Sequence, residues 1–277
     1  MSEGRYSRNE ALFGVEGQEK IGQTKVGVVG LGGLGSHVVQ QLACLGVASY
    51  ALIDHDVVTE SSLNRLIGAA DSDIAAATPK VAVAERVVRA VLPRASVTTA
   101  QVRVEAAEVP PLLASVDVVF GCLDRDLPRL HLTVLCTRLS QPYFDLASDT
   151  GEDQGQPTYG GRVVFCDGAG CLFCLQLLDQ EEMALDAMAP EHRQAHDRIY
   201  GVRRTALEGT GPSVVSVNGV VASLAVTEFM ALVTGLRDPA AHLNYYGEKM
   251  LIRRSMDAPL PDCPYCTGLW GRGLELA

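Results

Sequence analysis

No uninterrupted apolar run in this sequence reaches the ~18 residues of a membrane span, so no membrane partner is expected. The opening MSEGRYSRNE is polar and lacks the apolar stretch of a secretory leader; a cytoplasmic location is expected. Basic charge is in short supply. There are 23 Lys and Arg against 33 Asp and Glu, a net charge of -10, which argues against non-specific nucleic-acid binding while leaving room for a small basic groove. Internal repeats and low-complexity tracts are absent. Eight cysteines in a chain without a secretion signal point to reduced thiols or metal rather than disulfides.

What is present suffices for a sizeable core. The chain has 277 residues, 47% of them hydrophobic, enough for one large domain or two modest ones. Residues 5–21 read as a helical arm. The run KVGVVG (25–30) reads as a buried strand ending in glycines, GSHVVQQLACLG (35–46) as a helix closed by Gly46, and SYALI (49–53) as a second strand ending at Asp54. A helix over 80–92 stopped by Pro93, a β-rich stretch at 96–104, a strand at 116–120, a helix near 127–140 and a strand at 142–147 continue the alternation. Alternating β and α elements predict a doubly wound, mostly parallel α/β sheet. A strand is expected at 161–166 and a long loop at 179–204. The small, apolar stretch 213–235 is expected as a core or dimer helix, because Ser, Asn, Thr and Glu interrupt it; Ser213 is its expected N-cap.

Gly30, Gly32 and Gly35 form G-x-G-x-x-G, with Gly33 inside it. Gly30 suits a tight turn, Gly32 close approach of a phosphate, and Gly35 helix–strand packing, with amides of the new helix facing the anion. Asp54, 19 residues beyond Gly35, stands where a carboxylate accepts from a ribose. A dinucleotide or a mononucleotide fits this loop. The charges that follow favour ATP: Arg65 in SSLNRL, Lys80 in ATPKVA, Arg129, and Asp124 at a strand end, where a hard oxygen donor suits Mg²⁺. His37 reads as a packing or capping residue.

Cys171-x-x-Cys174 and Cys263-x-x-Cys266 form two thiolate hooks. Four thiolates close a tetrahedral Zn²⁺ site with no open position, a structural rather than catalytic arrangement. Trp270 is expected to pack against this knuckle. Cys44, Cys122, Cys136 and Cys166 sit in apolar runs and read as core residues.

The order of RYSRN (5–9), GLGGLGS, LIDHD, SLNR, TPK, CLDRD and the paired hooks resembles the MoeB/ThiF/HesA family, bacterial relatives of ubiquitin-activating enzymes, over nearly the whole chain. The resemblance implies a Rossmann-like fold with a C-terminal extension tied by zinc. It implies an N-terminal helical arm (1–24), an ATP-binding region (25–165), and a region (166–277) holding a crossover loop, a dimer or core helix and a zinc knuckle, all within one continuous domain. The implied activity is adenylation, with ATP and Mg²⁺, of the C-terminal carboxylate of a ubiquitin-like or sulfur-carrier protein ending in Gly-Gly. Asp54 would then bind ribose, Arg65 and Lys80 the phosphates, and Asp124 Mg²⁺. Asp56 matches a second acid near the nucleotide, and Arg8 an arginine that reaches the partner subunit of a homodimer.

Departures from the family pattern are Asn9, Ser62, Leu66 and Arg125. Ala206 stands where the family's crossover segment often has cysteine, so no thioester is expected there, and the adenylate is expected to pass directly to an external acceptor. Three alternatives remain: the same chemistry on a peptide or tRNA-linked carboxylate or amide, an NAD-dependent oxidoreductase, and a non-enzymatic scaffold.

Overall fold

The computed structural model describes residues 4–188 and 213–273; the end of the expected loop, with Ala206, lies outside them. The apolar runs form strands buried on both faces, the state required of a parallel sheet covered by helices. Helix α1 (Ser7–Gln23) leads into β1 (Lys25–Val29), α2 (Gly33–Leu45) and β2 (Ser49–Ile53). A short α3 (Asp71–Ala75), α4 (Lys80–Val91), β3 (Ser96–Ala100), α5 (Val109–Leu113), β4 (Val118–Gly121) and α6 (Asp126–Arg138) follow. The second half contributes β5 (Tyr143–Asp153), β6 (Gln156–Cys166), α7 (Gln180–Ala187), α8 (Val215–Thr234), β7 (His242–Tyr246), β8 (Leu251–Arg254) and α9 (Cys266–Leu269).

The eight strands of the described residues join one sheet in the order β3-β2-β1-β4-β5-β6-β7-β8. The first five run parallel, and β6, β7 and β8 are added antiparallel. The sheet therefore continues across residues 165 and 166 without a break. On one face, α2, α4 and α8 pack their apolar stripes onto Val28, Phe120, Phe144 and Val163. Phe120, Phe144, Phe165 and Phe229 form a ring cluster there, with centroids 4.7–5.6 Å apart; a fully buried phenylalanine contributes about 1.5–3 kcal/mol. On the other face lie α5, α6 and the four cysteines of the hooks.

Several elements differ from expectation for physical reasons. Strands β5 and β6 extend into a hairpin of eleven residue pairs, from Tyr143 with Cys166 to Asp153 with Gln156. Gln154 (φ 50°) and Gly155 (φ 78°) turn it, the doubly positive φ of a type I′ turn. Its outer arms are solvated and carry no apolar signal. The expected loop at 179 instead begins with α7, capped by Asp179, whose side chain accepts from the amides of Glu181 and Glu182. The cap of α8 is Val214 rather than Ser213; the Ser213 hydroxyl accepts from Asn218 Nδ2 at 3.0 Å instead. Cys44 is exposed, whereas Cys122, Cys136 and Cys166 are buried.

Among the described residues α8 alone is long and apolar enough to cross a membrane. Half of that stretch is buried in the fold, and its buried Glu228 accepts both arms of Arg237 at 2.6 Å.

Candidate active site

The strand order reverses between β1 and β4, the point where open α/β sheets bind ligands at their carboxyl ends. A cavity of about 860 Å³ opens there. Gly30, Gly32, Gly33, Asp54, Asp56, Arg65, Lys80 and Asp124 all line it. Gly35 and Arg8 do not. Arg8 sits on the exposed side of α1.

The loop's shape follows from two glycines. Gly30 has φ 87°, and a Cβ there would lie 2.6 Å from the Cys122 carbonyl oxygen. A Cβ on Gly35 would lie 1.9 Å from the Gly30 oxygen, so only glycine lets α2 start this close to β1. Gly32 has open space where its Cβ would be, leaving bare backbone beside the first amides of α2, the donor set that suits a phosphate.

Asp54 is buried at the end of β2. Its Oδ2 accepts from the Leu31 amide at 2.6 Å and its Oδ1 from the Asp56 amide at 2.8 Å. The carboxylate thus clamps the glycine loop to β2 while each oxygen retains a second acceptor site. Burial raises its pKa above the ordinary carboxylate value, opposed by Lys80 and the two amides. Lys80 Nζ lies 2.7 Å from Asp56 Oδ2. Burial pushes the Asp56 carboxyl up, but hydrogen bonding and attraction from Lys80 outweigh it and the net shift is downward. Arg65 bonds the Ser61 carbonyl and Asn64 Oδ1, and its Cδ is 3.3 Å from where a Gly33 Cβ would stand, so it overhangs the loop.

Asp124, just beyond β4, is exposed in the cavity. An exposed carboxylate at this strand end is a hard oxygen donor and fits Mg²⁺. Arg129 has another role from the one its charge suggested. It is buried, donating to the carbonyls of Leu123 (3.0 Å) and Leu146 (2.9 Å), with Asp145 3.6 Å away. Tyr143 donates to the same Asp145 carboxylate at 2.7 Å. Arg129 therefore braces the site's floor. Sequence reasoning passed over Arg162 and Asn218, which also line the cavity. The available signals were an arginine inside a buried strand and an asparagine inside an apolar helix.

The two hooks meet behind α6. Cys171 and Cys263 sulfurs are 3.7 Å apart, and those of Cys174 and Cys266 3.8 Å. A tetrahedral site with Zn–S of about 2.3 Å sets sulfurs about 3.8 Å apart. All four sulfurs lie within 4.8 Å of one another and are buried. Burial pushes the Cys171 thiol up, and burial with its neighbours pushes Cys266 up to about 11. A divalent cation is what lets four clustered, buried thiols ionise together, and the residues fit zinc. Phe173 and Tyr265 meet edge to face across the hooks at 4.7 Å. The Trp270 ring would touch a Cβ on Gly168 at 2.8 Å, so it covers the turn leading to the first hook. His37 contacts the Val215 backbone, and desolvation lowers its pKa, which fits packing between α2 and α8.

The ThiF family model matches residues 6–265. The chain is 30% identical over 270 residues to the sulfur carrier protein ThiS adenylyltransferase of Escherichia coli (strain K12), covering 95% of each chain. It is 29% identical over 239 residues to that organism's molybdopterin-synthase adenylyltransferase, covering 86% of this chain and 84% of the relative. In fold it is similar to E. coli MccB crystallised with MccA-N7isoASN, with TM-score 0.74, 20% identity, and 96% of this chain and 75% of that one covered. The continuous sheet, the glycine loop at its switch point and a match over residues 6–265 lead to one conclusion: the chain belongs to the ThiF family.

Proposed function

We propose that this protein transfers AMP from ATP to the C-terminal carboxylate of a sulfur-carrier or ubiquitin-like protein ending in Gly-Gly. The observation that carries this reading is the single cavity that gathers the glycine loop, Asp54, Arg65, Lys80 and Asp124. Asp54 would accept from the ribose, while the α2 amides, Arg65 and Lys80 hold the phosphates. Lys80 would loosen from Asp56 as phosphate arrives. A carboxylate oxygen forms a bond to the α-phosphorus, the bridging P–O bond breaks, and its electron pair leaves on pyrophosphate. Bringing two anions together and stabilising a third as it departs requires fixed cations. Asp124 would hold Mg²⁺, which when bound neutralises phosphate charge.

The active unit is a cytoplasmic homodimer in which Arg8 reaches the partner's phosphates. With alanine at position 206, the acyl group passes from the adenylate to an external sulfur or thiol without a thioester on this chain. ATP–pyrophosphate exchange tests the reading, using Gly-Gly-tailed small proteins of the same genome and their tail-truncated forms. Exchange that requires the intact tail is expected. ATP binding with no tail-dependent exchange would overturn the protein substrate in favour of a peptide or tRNA-linked one.

A further inference from the structure

A second cavity of about 290 Å³ adjoins the first on the antiparallel half of the sheet, walled by β6 and β7. The two cavities share Ala147, Asp149 and Arg162. Arg162 therefore stands at the passage between the nucleotide site and the surface that an incoming chain end would cross.

Its hydrogen bonding is incomplete. Nη2 donates to the Leu177 carbonyl at 3.0 Å, whereas Nε is buried without a hydrogen-bond partner among the described residues. A buried N–H without an acceptor is costly and uncommon, and one that persists beside a cavity calls for a ligand. The other cations of the nucleotide cavity are placed differently. Lys80 is on Asp56, Arg129 is bound to two carbonyls beside Asp145, and Arg65 overhangs the glycine loop at the phosphate end. Arg162 combines a missing acceptor with a position at the far end from the loop's phosphates.

We infer that Arg162 anchors the acyl substrate: its Nε–H donates to one oxygen of the incoming carboxylate, and the residues preceding that carboxylate occupy the second cavity. This deepens the adenylation reading and rests on it. The Nε–H meets one oxygen of the carboxylate, and the other oxygen remains free to attack the α-phosphorus. No proton moves in that step. Afterwards the same N–H holds the carbonyl oxygen of the mixed anhydride. Arg162 is thus assigned to the acyl group and not to the nucleotide.

The test uses glycylglycyl 5′-O-sulfamoyladenosine, a stable mimic of the acyl adenylate, alongside ATP and a matched probe whose acyl carbonyl is replaced by methylene. Affinities are measured by calorimetry on the full-length protein. The carbonyl probe is expected to bind the wild type about tenfold more tightly than the methylene probe, and Arg162→Met, which has similar length and no N–H, to erase that difference while ATP affinity stays within about twofold. Should Arg162→Met fail to fold, Arg162→Leu, which also has no N–H, is expected to show the same erased difference. A carbonyl preference that survives in either variant overturns the assignment. An equal loss of ATP and of both probes also overturns it, making Arg162 a nucleotide or scaffold residue. A wild type that binds ATP but favours neither acyl probe over 5′-O-sulfamoyladenosine overturns the adenylation reading along with it.

Discussion

A zinc ion held by the four cysteines would tie down the C-terminal segment, and its removal should release that segment while leaving the sheet in place. The eleven residues from Cys263 to Gly273 lose about 1–2 kcal/mol each in conformational entropy when ordered, roughly 11–22 in all. The contacts that oppose this are few. Tyr265, Leu269 and Trp270 are half-buried, and the amides of Gly271 and Gly273 reach the Thr137 and Arg138 carbonyls at 3.1 and 3.0 Å. With the two buried cysteines, these contribute roughly 8 kcal/mol. The shortfall, about 3–14 kcal/mol, is covered by the roughly 10–16 kcal/mol that a zinc tetrathiolate supplies. Cys263→Ser, or chelation, is therefore expected to abolish bound zinc and to lower hydrogen-exchange protection of residues 263–273 by at least about a hundredfold. Amides of β1 and β4 should remain protected. Zinc content by plasma mass spectrometry and exchange followed on tail peptides read both effects. A zinc-free protein whose tail amides stay protected would refute the reasoning.

Gly35→Ala should abolish ATP binding, because its Cβ would meet the Gly30 oxygen at 1.9 Å and force the loop open; calorimetry showing near-normal ATP affinity would contradict this. Arg8→Ala and Asp124→Ala subunits should each be inactive, and mixed equally they should regain about a quarter of wild-type exchange activity through one intact composite site per heterodimer; no recovery despite verified subunit exchange would place Arg8 outside the partner's site. Asp73 is hydrogen-bonded to Arg86 through both oxygens, which lowers its pKa from 3.8 to about 2. A depressed carboxylate pKa adds stability that is present above the unfolded value and fades as pH falls through the folded one. Because Arg86 is half exposed, wild type should exceed Arg86→Ala by about 1 kcal/mol at neutral pH, with the gap closing between about pH 4 and 2. Urea titrations that give a pH-independent gap would refute that pairing.

Local sterics and local pattern made much of this protein legible from its residues alone. Gly30 and Gly35 are dictated by backbone contact within one strand–turn–helix unit, so their spacing reveals the loop. The runs VGVV, YALI and VVFG are apolar and buried because both of their faces are covered. The cysteine hooks are legible because four thiolates have few other uses, although their closure joins residues 92 positions apart.

Tertiary structure decided what depends on neighbours brought from elsewhere in the chain. Strands β7 and β8, and the outer hairpin of β5 and β6, are partly solvated, so their side chains carry no buried period. Arg129 and Arg162 look alike as charges in a sequence. One is surrounded by carbonyls and Asp145 and serves the scaffold, while the other faces a junction of two cavities with a donor unmet. The Coulomb and hydrogen-bond terms that separate them are set by distances of a few ångströms, and only the folded sheet fixes those.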